Sequence, residues 1–177
     1  MSTIAQAMII NGVVLLAVLE ADLGPHRKIG KLRILRPLLM AAAIVPLFLK
    51  NPATHGSGLA LECAAAVAGL LVGLLAMAFT TVYRSPRTGA PVSRAGFAYA
   101  ALWIVVIGAR SAFSYGSEHW FGPQLGRWMA DNQVSPDALT DALLLMAVAM
   151  TLTRTLGLAR RASAAGHRTP ALATPAA

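Results

Sequence analysis

Residues 97–115 read FAYAALWIVVIGARSAFSY, and this apolar run decides the class of fold. Wound as an α-helix, the run is long enough to cross the ~30 Å hydrocarbon core of a bilayer. Its one charged residue, Arg110, is costly at that depth. We therefore expect Arg110 to have an ionic partner or a functional role.

The composition of the whole chain supports the same class. Of 177 residues, 56% are hydrophobic and only 12% are charged, and the mean hydropathy is +0.62. The charged fraction is about half that of soluble domains. The net charge of +8 comes from basic residues that flank apolar runs, where they act as topology signals. We expect one polytopic membrane domain in contact with lipid and no binding of nucleic acid.

The apolar runs predict an all-α bundle of five transmembrane helices, at about residues 4–23, 34–49, 58–82, 96–115 and 137–159. Gly24-Pro25 closes the first span, which we expect to be retained rather than cleaved as a signal peptide. The second span is short and contains Pro46. Ser135-Pro136-Asp137 is a typical helix start, with serine as the N-cap.

Two further segments complete this layout. Residues 116–134 mix Trp120 and Trp128 with charged residues, a pattern typical of a segment in the headgroup region. Residues 160–177 are rich in Ala, Pro and Thr, and we expect a disordered basic tail.

The loop charges predict the topology. Twelve Lys and Arg residues fall after span one, after span three and at the C-terminal end, whereas Lys50 and Arg127 alone fall on the other side. The positive-inside rule then puts the N-terminus outside and the C-terminus in the cytoplasm, and we expect the protein in the plasma (inner) membrane.

With this topology, three ionisable residues on three spans share one level near the outer surface. At about 1.5 Å of rise per residue, Glu62 and Asp141 lie roughly 6 Å deep and Arg110 roughly 8 Å. We expect Arg110 to pair with one or both acids. Three interpretations of this layer stay open: interhelical ion pairs, a polar ligand or proton site, and side chains that reach the surface independently.

Other residues extend this layer. Gln6 and Asn11 on span one lie in the same outer half and are additional candidates for the polar lining. Gly69 and Gly73 form a GxxxG pattern on the same stripe as Glu62, which predicts close packing against a neighbouring helix.

The sequence offers little for a metal or for catalysis. His55 and His119 fall on the predicted outer side and suggest a haem or metal site, but histidines in separate loops are more often solvated. The only cysteine, Cys63, lies within a span and is expected to be a small hydrophobe. Nucleotide-binding, hydrolase and metalloprotease motifs are not found in the sequence. We expect no cofactor and no enzymatic activity.

Three stretches together resemble a known family. They are the basic run Lys31-Leu-Arg-Ile-Leu-Arg-Pro37 that leads into a span, Arg84-Ser-Pro-Arg-Thr-Gly89 before another, and Trp103 with Arg110 inside it. They are similar to small bacterial membrane proteins of the CcdC-like group, some of which are linked to cytochrome c biogenesis. The resemblance covers about two thirds of the chain and implies an integral membrane protein without assigned catalytic residues.

These observations favour a non-enzymatic accessory or regulatory membrane protein that acts through helix contacts, with a membrane-protein partner or a second copy of itself. The resemblance implies a link to cytochrome c biogenesis. Two alternatives stay open. One is a small transporter or ion-conducting oligomer that uses the layer of Glu62, Arg110 and Asp141. The other is a haem-handling or metal-handling membrane protein.

Overall fold

The structure, a computed structural model, describes residues 3–48, 55–86 and 88–167. In chain order its elements are α1 (Thr3–Asp22), β1 (Gly24–Lys28), α2 (Lys31–Phe48), α3 (Gly56–Ala78), β2 (Thr80–Arg84), β3 (Pro91–Ala95), α4 (Phe97–His119), α5 (Gly122–Asp131) and α6 (Pro136–His167). Three stretches are long and apolar enough to cross a membrane, namely α3, α4 and residues 136–165 of α6. The predicted class, a helical membrane protein, is confirmed at this level.

A small sheet joins the two segments that the sequence analysis treats as basic loops. Its strands run antiparallel in the order β1-β3-β2, with Thr80 opposite Ala95 and Arg27 opposite Ser93. The loop interpretation was therefore wrong for these residues. Residues 80–83 are β-branched or aromatic, which suits a strand, but the run is too short to stand out beside a long apolar helix.

A tight turn at residues 85–90 joins β2 to β3. Gly89 has a φ of 62° and donates its N–H to the Ser85 carbonyl at 2.9 Å. Ser85 in turn donates to the Ala90 carbonyl at 2.9 Å. A glycine suits this left-handed conformation because it has no Cβ to clash.

Several helix boundaries differ from the predicted ones. Helix α3 ends at Ala78, because the chain enters β2 at Thr80, while α4 runs on to His119 rather than ending at residue 115. The headgroup segment contains a helix of its own, α5. The start of α6 agrees with the prediction, since the Ser135 hydroxyl accepts the Ala138 N–H at 3.0 Å.

The predicted disordered tail was wrong for residues 160–167, which extend α6. Two contacts with the sheet region hold this extension. Arg161 donates to the carbonyls of Met77 and Thr80 at 2.6 and 2.8 Å, and Arg84 Nε donates to the Ala165 carbonyl at 2.9 Å. Alanine and arginine also favour helix intrinsically. Residues 168–177 lie outside the described part of the chain.

The helices pack as two units beside the sheet. Helices α3 and α6 form the most extensive pair, and α2 lies against α6, while α1 packs on α4. The C-terminal ends of α1, α3 and α6 meet the sheet, as does the start of α4. We call this the sheet end and the opposite one the far end. Buried Ala76, Tyr99, Trp103, Ile107 and Met150 join the two units near the sheet.

Candidate functional site

Two of the three residues in the predicted polar layer lie together. Glu62 on α3 and Asp141 on α6 are buried, with 4% and 5% of their surface exposed. Their carboxyl groups are close enough to interact electrostatically across the interface of the two helices. This juxtaposition agrees with the helical stripe that places Glu62 towards a neighbouring helix.

Arg110 does not join them, so the predicted pairing was wrong. Within residues 3–48, 55–86 and 88–167, Arg110 forms no ion pair with either acid. Arg110, about 13 Å from the far end of α4, borders a cavity and does not lie in the interface of α3 and α6 that holds the two acids.

Arg110 instead borders a cavity of about 280 Å³ between the two helical units. Met146 and Ala147 line the same cavity and lie at a similar depth, about 15 Å from the start of α6. The lining is mostly apolar and comprises Asn11, Val18, Val72, Trp103, Val106, Ile107, Arg110, Met146, Ala147, Met150 and Thr151. The volume is near the lower limit for small-molecule sites, about 300 to 1,000 Å³.

The cavity has polar groups at two levels, Asn11 beside Arg110 and Thr151 about 9 Å nearer the sheet end. Asn11 Nδ2 donates to the hydroxyl of Ser111, the residue after Arg110, at 3.2 Å. This bond places Asn11 at the same end of the cavity as the guanidinium. Thr151 donates its hydroxyl to the Ala147 carbonyl at 2.8 Å, as serine and threonine often do inside helices. The side chain of Gln6, the other candidate on α1, lies outside the described part.

Gly69 and Gly73 bring α3 and α6 into backbone contact. A Cβ on Gly69 would lie 2.9 Å from the Met146 carbonyl carbon, and one on Gly73 would lie 2.8 Å from both the Met150 oxygen and Thr153 Cβ. Such distances leave no room for a methyl group. Small residues allow the same close approach in other membrane helix pairs.

A second buried polar group, near the sheet end, was not anticipated. Asp22 at the end of α1 is 3% exposed and accepts hydrogen bonds from three other helices. Arg33 on α2 donates at 2.7 Å, the Tyr99 hydroxyl on α4 donates at 2.6 Å, and Arg154 on α6 forms a further ion pair. We call these four residues the Asp22 cluster.

The geometry of the Asp22 cluster is tightly determined. Arg33 also donates to the Ser93 hydroxyl on β3 at 3.0 Å, and the Arg154 guanidinium lies 5.7 Å from the centre of the Tyr99 ring. A cation at this distance from an aromatic face is favourable. One carboxylate therefore connects four helices, and through Arg33 it connects them to the sheet.

The position of Asp22 at the end of the first span, beside the basic loop, predicts ion pairs with that loop. Arg33 of the loop forms one, whereas Tyr99 and Arg154 were not anticipated. Arg27 instead donates to the backbone carbonyls of Leu23 and Glu20, at 3.1 and 2.7 Å. The useful signal was Arg154, a second isolated cation inside an apolar span. By the argument applied to Arg110, Arg154 also needs a partner.

The candidate metal residues do not assemble into a site. Within the described residues there is no group of three His, Cys, Asp or Glu side chains able to hold a metal ion. The His119 ring stacks on Tyr115, with centroids 4.3 Å apart, and His55 precedes the first turn of α3. Cys63 lies exposed on α3, where lipid would surround it.

Comparison with protein-family models, with curated proteins and with solved structures finds no match.

Proposed function

We propose that this chain is a non-enzymatic accessory or regulatory protein of the plasma membrane that acts by binding a helix of a partner membrane protein. The observation that carries the proposal is an unused packing surface on α4. Gly108, Ala109 and Ala112 are exposed on one face, and a Cβ added to Gly108 would meet no described atom within 4 Å. Small residues spaced four apart allow close helix approach in lipid.

The contrast with α3 supports this interpretation. Gly69 and Gly73 have the same spacing, and they are covered by α6. The α4 surface instead continues into exposed Ile104 and Val105, with 52% and 65% of their surface exposed. We call these five residues of α4 the lateral face: Ile104, Val105, Gly108, Ala109 and Ala112. It has the composition of a helix interface but no covering helix within the described residues.

The proposal includes five membrane spans, with the N-terminus outside and the C-terminus in the cytoplasm. Helices α1 and α2 contain 20 and 18 residues. They are therefore about 30 and 27 Å long, close to the thickness of the hydrocarbon core. Exposed basic residues surround the sheet end, which supports a cytoplasmic position for it: Arg27, Lys28, Arg36, Arg84, Arg94, Arg160 and Arg161. The link to cytochrome c biogenesis stays a prediction.

Site-specific photocrosslinking in intact cells tests the partner interaction. A photoreactive amino acid at Ala109 is expected to give a discrete adduct, and the same amino acid at Ala64, an exposed position on α3, is expected to give none. Gly108→Leu should abolish the adduct because the larger side chain holds a partner helix away. The mass of the adduct distinguishes a second copy from another protein. Equal labelling from both positions would refute the proposal.

A further inference from the structure

The cavity between the two helical units combines two features that rarely occur together. Most of its wall is apolar, yet Arg110 borders it at about 13 Å from the far end of α4. A cation at this depth in a membrane is costly unless an anion compensates it. None of the ion pairs found among the described residues involves Arg110.

We propose that this cavity binds a single-chain anionic amphiphile, a medium-chain fatty acid, with its carboxylate on Arg110. The guanidinium fork matches a carboxylate geometrically and can donate two parallel hydrogen bonds. Asn11, held beside Arg110 by Ser111, supplies amide groups at the same end. This site stands independently of the partner helix proposed above.

The apolar wall sets the direction and length of the tail. Trp103 lies seven residues before Arg110 on the same stripe of α4, about 10 Å towards the sheet end. Val18 and Met150 line the cavity along with Trp103. The volume of 280 Å³ accommodates about nine methylene groups if each takes the ~30 Å³ of a liquid water molecule. A chain of eight to ten carbons therefore fits.

The depth and size of the site favour this ligand over a bilayer phospholipid. A phospholipid headgroup stays at the interface, whereas Arg110 lies well inside the hydrocarbon core if α4 spans the membrane. Two acyl chains and a glycerol phosphate would also exceed the volume of the cavity. A fatty acid has one small charged group and one chain, so it can enter as a whole.

Quenching of Trp103 fluorescence by brominated decanoate tests the site. The full chain carries Trp120→Phe and Trp128→Phe, so that Trp103 is the only tryptophan, and is placed in phosphatidylcholine nanodiscs. We expect saturable quenching by 10-bromodecanoate and weaker quenching at saturation by 2-bromodecanoate, because the latter carries bromine beside Arg110. The neutral 10-bromodecanol should bind at least tenfold more weakly.

Two substitutions test the site, one at Arg110 and one in the wall formed by α6. Arg110→Gln should raise the Kd for 10-bromodecanoate about 10- to 100-fold, and Arg110→Lys should raise it less. Ala147→Phe should abolish saturable quenching by filling the cavity while it keeps Arg110. Arg127→Gln, an exposed arginine on α5, is the matched control and should leave the Kd unchanged.

Each result decides the proposal. Thermal unfolding of every variant shows whether the variant is folded. If Arg110→Gln does not fold, Arg110→Lys and Ala147→Phe are used to test the proposal. Non-saturable quenching, equal affinity for decanoate and decanol, or unchanged binding by folded Ala147→Phe would each overturn the proposal. Stronger saturating quenching by 2-bromodecanoate than by 10-bromodecanoate would overturn the assigned orientation and with it the role of Arg110.

Discussion

Replacement of Asp22 by asparagine should strongly destabilise the fold, although the two side chains have nearly the same shape. The Asp22 carboxylate compensates the guanidinium groups of Arg33 and Arg154 and accepts the Tyr99 hydroxyl. Asparagine removes the negative charge and leaves two cations facing each other. Breaking a buried ion pair by removing one partner costs about 3 to 5 kcal/mol.

The exposure of the partners decides where in this range the loss falls. The Asp22 side chain is 4% exposed, but Arg33 and Arg154 keep 20% and 15% of their side-chain surface accessible. Solvent therefore screens part of the uncompensated charge, and we expect a loss of about 3 kcal/mol in the free energy of unfolding. Tyr99→Phe, which removes one hydrogen bond to a charged group, should cost less, about 1.5 to 2 kcal/mol.

Reversible unfolding in mixed detergent micelles, followed by tryptophan fluorescence, measures these differences. Glu20→Gln is the matched control, since Glu20 is an exposed acid on the same helix, and it should change the free energy of unfolding by less than about 0.5 kcal/mol. Joint replacement of Asp22, Arg33 and Arg154 by Leu, Met and Met should recover part of the loss, because no charge is then buried. A loss below about 1 kcal/mol for Asp22→Asn would refute the reasoning.

Three further predictions concern packing, the C-terminal helix and topology. Gly69→Ala should destabilise the protein by about 1 to 3 kcal/mol, because the added methyl group meets the Met146 carbonyl. The control Gly12→Ala adds its methyl group in open space and should be neutral or slightly stabilising. The same unfolding assay measures both variants, and equal effects would contradict the prediction. Arg161→Gln should accelerate amide hydrogen exchange in residues 160–167, because it weakens the bonds to Met77 and Thr80, and unchanged exchange would contradict this. A reporter fused after residue 177 should be active only in the cytoplasm; activity outside would overturn the orientation.

The class of fold could be predicted because the mean hydropathy of a span-length window does not depend on the local structure within that window. The apolar runs at residues 58–82, 96–115 and 137–159 locate α3, α4 and α6 to within a few residues at most ends. The sheet was not predictable by the same means. Its strands have five residues each, and β1 is stabilised by pairing with β3, a segment more than sixty residues away.

The polar contacts show a different limit. Sequence reasoning could identify Arg110 and Arg154 as expensive cations, but their partners depend on where each helix ends and how it is rotated. Helix α4 ends four residues later than predicted, which places Arg110 about 6 Å deeper, and its side chain borders the cavity instead of the interface that holds Glu62 and Asp141. Asp22 pairs with Arg33 of the neighbouring basic loop, which closeness in sequence predicts, but it also pairs with Arg154, 132 residues away, which closeness in sequence does not predict.

The Asp22 cluster and the cavity share one stripe of α4, so binding at one should affect the other. Tyr99 belongs to the cluster, and its ring centroid lies 6.2 Å from that of Trp103, which lines the cavity. Neither Asp22 nor Tyr99 borders the cavity. Because Met150 and Arg154 of α6, one turn apart, lie beside Trp103 and Tyr99 of α4, loosening the cluster changes the spacing of the cavity walls. Asp22→Asn should therefore change the decanoate Kd without removing any ligand contact, and an unchanged Kd in folded protein would show that the two sites act independently.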